Sequence, residues 1–256
     1  MNYFELAKND NVIELKMARG ERYNALNVAM LEEFVAALEE VEASDAQIVV
    51  LSGKGDGFCA GGDVTMMTEV SDKEKFNDVM SNIEAVVTKL YTMPKAVVAS
   101  IHGPAVGLGL SIALAADYII ADPDSRFSMN FIGIGLLPDG GGHFWLQERL
   151  GTHRAKQFAW NGEELYAKKA YDYHLVDQVA GEDLQAETKA LVAQWSKRPL
   201  QSMIATKQLY HQHGVEKLKQ YLEEERKAQW KLRQTKDHQE GVQAFMEKRK
   251  PEFTGR

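Results

Sequence analysis

The stretch from Ala96 to Asp117, AVVASIHGPAVGLGLSIALAAD, sets the tightest limit on the architecture. Its first six residues are short, rich in β-branching and uncharged, the composition of a strand covered on both faces. Gly103-Pro104 ends the strand. Gly107 and Gly109 then open a run, Leu110 to Ala116, that is apolar on nearly every side of a helix. A doubly covered strand followed at once by an apolar helix needs further layers above and below, which means an α/β core. The turn between them admits two readings. Its glycines let backbone N–H groups approach a ligand, and the first N–H groups of a helix have no intrahelical acceptor, so it suits a developing negative charge. Equally, the glycines could serve only tight packing of helix on sheet.

The flanking segments share this grammar. Val12 to Met17 alternates, with Ile13, Leu15 and Met17 on one face. A helix capped by Asn27 and running to about Ala43 puts Val28, Leu31, Val35, Leu38 and Val41 on one side. Gln47 to Ser52 is another buried strand. The order strand, helix, strand, helix, strand, turn, helix predicts right-handed crossovers and a parallel sheet. Between the second and third strands, a polar loop from Glu69 passes into an amphipathic helix carrying Phe76, Val79, Met80, Ile83, Val86, Val87 and Leu90. Strands are expected over 118–121 and 126–130, and Pro138-Asp139-Gly140-Gly141-Gly142 forms a turn that opens a helix. From about Glu163 helices dominate, with one short strand near 176–179 and helices over 184–195, 200–211 and 215–230. The charged run Glu223 to Lys227 in the last of these reads as a solvated face. A boundary near residue 195 divides an α/β part, 1–195, from a helical part, 196–256.

At 256 residues, 45% hydrophobic and 26% charged, the chain can build a large core. A net charge of -7 argues against nucleic acid as a partner. The single cysteine, Cys59, rules out an intrachain disulfide, and no His/Cys/Asp/Glu spacing suggests a metal site. The N-terminus MNYFELAKND is unlike a secretory leader, and no stretch reaches the roughly 18 apolar residues of a membrane helix. The expectation is a cytoplasmic protein without membrane partners. The loop SGKGDGFCAGGD holds five glycines between Gly53 and Gly62, at the end of a parallel strand where open α/β sheets bind ligands. Phe58, Cys59 and Ala60 set it apart from a solvated turn. Neither a Walker-type phosphate loop nor a dinucleotide fingerprint is present.

Three segments occur in one order: FCAGGD (58–63), IHGPAVGLGLSIALAAD (101–117) and IGLLPDGGGHFWLQERLG (134–151), followed by the tail EGVQAFMEKRKPEF (240–253). Together they resemble the enoyl-CoA hydratase/isomerase, or crotonase, family over essentially the whole chain. The resemblance implies an α/β, crotonase-type core of repeated ββα turns with a C-terminal helical region that serves trimerisation. It implies a homotrimer or dimer of trimers, an acyl-CoA substrate, and no cofactor beyond the coenzyme A carried by that substrate. It also implies an oxyanion hole made by the N–H groups of Ala60 and Leu108. Losing one such donor typically costs about 3–4 kcal/mol of barrier. Asp63 would hold the loop or lie near the CoA arm, with a helix N-cap as the alternative. Arg22 and Lys248 would meet CoA phosphates. Phe245 would pack on the adenine or pantetheine side, in its own or a neighbouring subunit. Ala25, Gly61, Gly62, Val64, Ser111, Phe131, Leu136 and His143 complete the implied substrate-binding set.

The departures narrow the chemistry. Hydratases of the family carry two glutamates, and the matching positions here are Ser111 and Phe131. Neither is the acid/base group that adding water requires. Asp139, in Leu137-Pro138-Asp139-Gly140, matches the single carboxylate of relatives that shift double bonds. One carboxylate suffices there: it takes a proton at C2, leaves an enolate, and returns the proton at C4. Apolar neighbours (Phe131, Ile132, Ile134, Leu136, Leu137, Phe144 and Trp145) would raise its pKa and exclude water. On the residues alone, Asp139 reads as readily as a turn residue. The expected activity is enoyl-CoA isomerisation; the alternatives are a hydratase with a non-standard base and a non-catalytic acyl-CoA-binding subunit. Cys59 is expected as a buried filler and His102 as a structural histidine. His143, four residues after Asp139, is expected on a shared helical face.

Overall fold

Every residue of strand β4 is buried, and the rest of the sheet is built outward from it. The computed structural model describes residues 1–64, 66, 70 and 72–256. Its strands are β1 (Phe4–Asn9), β2 (Val12–Met17), β3 (Ile48–Gly53), β4 (Ala96–Ile101), β5 (Pro104–Val106), β6 (Tyr118–Ala121), β7 (Arg126–Ser128), β8 (Glu164–Tyr166) and β9 (Gln178–Val179). Its helices are α1 (Val28–Ala43), α2 (Lys73–Thr92), α3 (Leu108–Leu114), α4 (Gly142–Asn161), α5 (Ala167–Asp172), α6 (Leu184–Ser196), α7 (Leu200–Leu232) and α8 (Lys236–Glu247). The main sheet runs β1-β2-β3-β4-β6-β9, and a small second sheet runs β5-β7-β8. Within the main sheet, β2, β3, β4, β6 and β9 pair in parallel, as the alternation of strands and helices predicts, whereas β7 and β8 of the small sheet pair antiparallel. β1 is the exception in the main sheet: it forms an antiparallel hairpin on β2, and its alternation is too weak in sequence to show.

The parallel core decides where a site can form. The carboxyl ends of β3 and β4 lie side by side, so the loops that leave them must meet. They do so through a parallel bridge, in which Cys59 N–H donates to Pro104 O (2.9 Å) and Val106 N–H donates to Cys59 O (3.0 Å). α1 begins where expected, with the Asn27 side chain accepting from Met30 N–H. Its buried stripe centres on Met30, Leu31, Phe34, Leu38 and Val41, while Val28 and Val35 are only half-buried. α2 follows its predicted apolar positions. Of the polar stretch expected from Glu69, residues 69 and 71 lie outside the described residues.

The two helices expected over 200–211 and 215–230 are one helix of 33 residues, α7. Gly214, which punctuates the sequence, lies inside it. A Cβ there would stand 2.3 Å from the Tyr91 hydroxyl, so this glycine serves a close approach rather than a break. α7 is fastened to the sheet by Lys207, whose Nζ donates to Asp117 Oδ2 (2.8 Å), Lys95 O (2.9 Å) and Leu90 O (3.3 Å). Asp117 Oδ2 also accepts the N–H of Val97 at the start of β4. Burial pulls the Lys207 pKa down and Asp117 opposes the fall.

This anchorage is testable. Lys207→Met strands a largely buried carboxylate, and is expected to lower the unfolding free energy by on the order of 3 kcal/mol. Adding Asp117→Asn should recover part of that loss. Denaturant midpoints at an unchanged m-value are the check, and additive losses in the double variant would count against a paired anchor.

Candidate active site

The loop after β3 is held by a buried polar network built on Arg19, Asn24 and Asp63. Asn24 is fully buried with φ 55°, a conformation Asn tolerates better than most residues. Its side chain donates to Lys54 O (3.0 Å) and Gly57 O (2.8 Å) and accepts from Arg19 N–H (2.9 Å). Arg19 in turn bonds Ala25 O (2.6 Å) and pairs with the buried Asp63 (2.7 Å). Asp63 therefore ties the glycine loop to the turn after β2. The Arg-x4-Asn spacing in a polar turn was the available signal, and it is a weak one.

This network corrects one expected oxyanion donor. The N–H of Ala60 is already spent on Tyr23 O at 2.9 Å. Further along the loop, Leu26 N–H donates to Gly61 O and Asp63 N–H to Leu26 O, which turns the Gly62 N–H to the other side of the segment. The Gly62 N–H has no acceptor among the described residues. In this loop it is the Gly62 N–H, not that of Ala60, that stands free to donate. Leu108, the other expected donor, is the first residue of α3, and its N–H has no acceptor among the described residues. The positive φ at this turn falls on Gly107 (55°), so Leu108 keeps an ordinary helical backbone. The two segments run close together, since a Cβ built on Gly61 would sit 3.6 Å from Leu108 N. Gly109 is required by contact: its Cβ would fall 2.4 Å from Cys59 O. Cys59 itself is the buried filler expected, with its thiol pKa pushed up to about 12 by burial. That argues against a nucleophilic role.

Asp139 arrives from the other side. The segment Leu137 to His143 is held at nearly every peptide group. Ser111 Oγ donates to Asp139 O (2.7 Å), Trp145 Nε1 to Gly140 O (2.8 Å), and Gln229 Nε2 to Leu137 O (2.7 Å). Glu225, on α7 and 2% exposed, accepts from the N–H groups of Gly141 (2.8 Å) and His143 (3.1 Å), so it caps α4 from a distance of 84 residues in sequence. Gly140 and Gly141 both have positive φ, and a Cβ on Gly140 would lie 2.6 Å from Leu108 Cδ1. Asp139 thus sits beside the Leu108 turn. Its Oδ2 accepts from Gln229 Nε2 at 3.3 Å, while Oδ1 is buried with no partner. Its carboxyl pKa is pushed up to about 8, first by burial and then by the charge of Glu225, with Arg233 opposing both.

Other expected residues fall out as follows. Phe131 lies against the oxyanion turn, 3.6 Å from a Cβ placed on Gly107. Ser111 is fully buried and commits its proton to the Asp139 carbonyl. Of the expected apolar walls around Asp139, Ile132 is 43% exposed, and Phe144 belongs to an aromatic cluster with Tyr91 and Trp145. His143 does not share a helical face with Asp139, because α4 begins only at Gly142; its Nδ1 turns to Glu225 instead (2.8 Å). His143 and Leu136 line a largely apolar cavity of about 650 Å³ together with Leu137 and Pro138, but Asp139 and Leu108 do not. His102 bonds Gly55 O, a structural role. Ala25, Val64 and Gly61 lie along the loop junction, and Arg22 is exposed at the end of the 3-10 turn Gly20–Arg22. Phe245 and Lys248 are exposed at the end of α8. That helix closes on the turn Ile132–Ile134 next to Phe131, where His238 Nδ1 lies 2.8 Å from Ile134 O. Glu225 and Gln229 were missed in sequence because they lie in or beside a charged run that resembles a solvated face. No cluster of metal-binding side chains occurs among the described residues.

Comparison with known proteins places the whole chain in one family. The family model described as enoyl-CoA hydratase/isomerase matches residues 7–256. The chain is 45% identical over 253 residues to the Bacillus subtilis protein YhaR, itself named no more finely than an enoyl-CoA hydratase/isomerase, covering 99% of each chain. It is 32% identical to the 1,2-epoxyphenylacetyl-CoA isomerase of Escherichia coli, covering 96% of this chain and 95% of that one. Among solved structures, an enoyl-CoA hydratase from Mycobacterium avium subsp. paratuberculosis superposes with a TM-score of 0.89 at 29% identity, covering 98% of each chain.

The raised pKa of Asp139 has a thermodynamic signature. The carboxyl stays protonated in the folded chain up to about pH 8 and ionises in the unfolded chain from its ordinary value of 3.8. Its contribution to stability is therefore complete below about pH 4 and is lost as the pH rises through 8, at about 1.4 kcal/mol per unit. Asp139→Asn removes this slope. The stability of the variant relative to wild type is expected to climb steadily between pH 4 and pH 8 in urea titrations. A constant difference across that range would mean that Asp139 titrates as an ordinary carboxyl.

Proposed function

The chain belongs to the enoyl-CoA hydratase/isomerase family, and within that family we propose that it shifts a carbon–carbon double bond in an acyl-CoA thioester, from the 3,4 to the 2,3 position or in a related isomerisation. The observation that carries this reading is the Asp139 carboxyl, whose Oδ1 is buried without a partner on a loop packed against the Leu108 turn, together with the Leu108 and Gly62 N–H groups, which have no acceptor among the described residues. In this reading the thioester oxygen lies between the N–H groups of Gly62 and Leu108. Asp139 removes a proton from C2, the negative charge passes to that oxygen, and the proton returns at C4. Donors fixed in advance stabilise the enolate without reorganising during the reaction. Burial gives the base a pKa suited to taking and returning a proton near neutral pH.

The two positions where hydratases of the family carry glutamates support isomerisation over hydration. Ser111 spends its proton on a backbone carbonyl, and Phe131 has nothing to offer a water molecule. The reaction draws on no resident cofactor, since coenzyme A belongs to the substrate. Arg22 and Lys248 are the proposed partners of its phosphates and Phe245 of its adenine or pantetheine, in a cytoplasmic homotrimer or dimer of trimers.

A 3-enoyl-CoA substrate tests the proposal through the absorbance of the conjugated 2-enoyl thioester that forms. Wild-type protein is expected to generate it, and Asp139→Asn to lose at least about a hundredfold in rate while still binding acyl-CoA. An undiminished rate in Asp139→Asn would remove Asp139 from the chemistry, and bleaching of added 2-enoyl-CoA would favour hydration. Because the base must be ionised, kcat/KM should rise about tenfold per pH unit below pH 8 and level off above it.

A further inference from the structure

We propose that Gln229 is the positioning residue of this site, and that it makes Oδ1 of Asp139 the atom that carries the proton. The inference rests on the isomerase reading and assigns a residue from the C-terminal helix to it. Gln229 is 2% exposed on α7, one helical turn beyond Glu225. Its side-chain nitrogen carries two hydrogens and faces two acceptors, Leu137 O at 2.7 Å and Asp139 Oδ2 at 3.3 Å. The first bond fixes the backbone immediately before Pro138-Asp139. The second occupies one carboxylate oxygen and leaves the other, Oδ1, without a partner among the described residues.

This arrangement suits a base that must also be an acid. When C2–H breaks and Oδ1–H forms, Oδ2 remains an acceptor, so the bond to Gln229 persists in both protonation states. The carboxyl has no reason to rotate before Oδ1–H breaks and C4–H forms. Proton and electron pair balance within the substrate, and no further reactant is needed. The ionisable groups around Asp139 are Glu225 on α7, Arg233 at its C-cap and, through Glu225, His143 on α4. The side chains that α3 and α2 bring to this loop, Leu108, Ser111 and Ile83, are not titratable. Gln229 is thus a neutral donor to a carboxyl whose charged neighbours are Glu225 and Arg233.

The test pairs two variants with wild type. Gln229→Met keeps the approximate shape and removes the donor. It is expected to leave KM within about twofold, to lower kcat about tenfold, and to move the midpoint of the kcat/KM pH profile up by about one unit, because the ionised carboxylate loses a stabilising bond. Gln229→Glu keeps the length of the side chain and adds a negative charge, and should move the midpoint further up. A merely structural role would lower the unfolding midpoint and leave the pH profile in place; an unshifted profile in either folded variant overturns the proposal. Wild-type protein offers a check that needs no variant. Isomerisation in heavy water should return part of the substrate's own C2 hydrogen to C4, and complete solvent labelling at C4 would also overturn it. Should wild-type protein fail to isomerise a 3-enoyl-CoA, the isomerase reading itself fails. Should Asp139→Asn be inactive while the Gln229 variants match wild type, only the role of Gln229 fails.

Discussion

A carboxyl group kept from water without a full set of partners is unstable unless its backbone cannot move, and that constraint organises this molecule. Asp139 stays in place because the peptide groups around it are tied to three different helices: Ser111 on α3, Trp145 on α4, and Glu225 with Gln229 on α7. Release of any one tie would let the loop turn its carboxyl toward solvent. The 33-residue length of α7 follows from the same need, since it must be fastened to the sheet at Lys207 and still reach the loop with Gln229.

Much of the fold was legible because its signals are local. Ile48 to Ser52 and Ala96 to Ile101 are apolar and β-branched, and Asn27 caps its helix as its position suggests. The hairpin strand β1 was not legible, because its apolar alternation, Phe4 and Leu6, stops at Lys8. Nor was the continuity of α7, because a glycine that serves a neighbour's hydroxyl looks in sequence like one that ends a helix.

The site divides along the same line. Asp139 and Leu108 lie in motifs whose glycines announce a turn. The difference between Ala60 and Gly62 was out of reach, because it depends on which N–H groups are consumed by Tyr23 and Leu26, residues of a remote turn. Glu225 and Gln229 were hidden for a related reason. A buried polar residue is distinguished from a solvated one by its partner, and these partners lie more than 80 positions away in the chain.

Cys59 gives the loop junction a further property. It is the only cysteine of the chain, it has no exposed surface, and it is wedged between Asn24 O (3.2 Å) and the backbone of Gly109. A thiol-reactive dye can therefore reach sulfur only when the loop after β3 lifts from the start of α3. The rate at which the native protein is labelled becomes a clock for the opening of the two segments that carry Gly62 and Leu108.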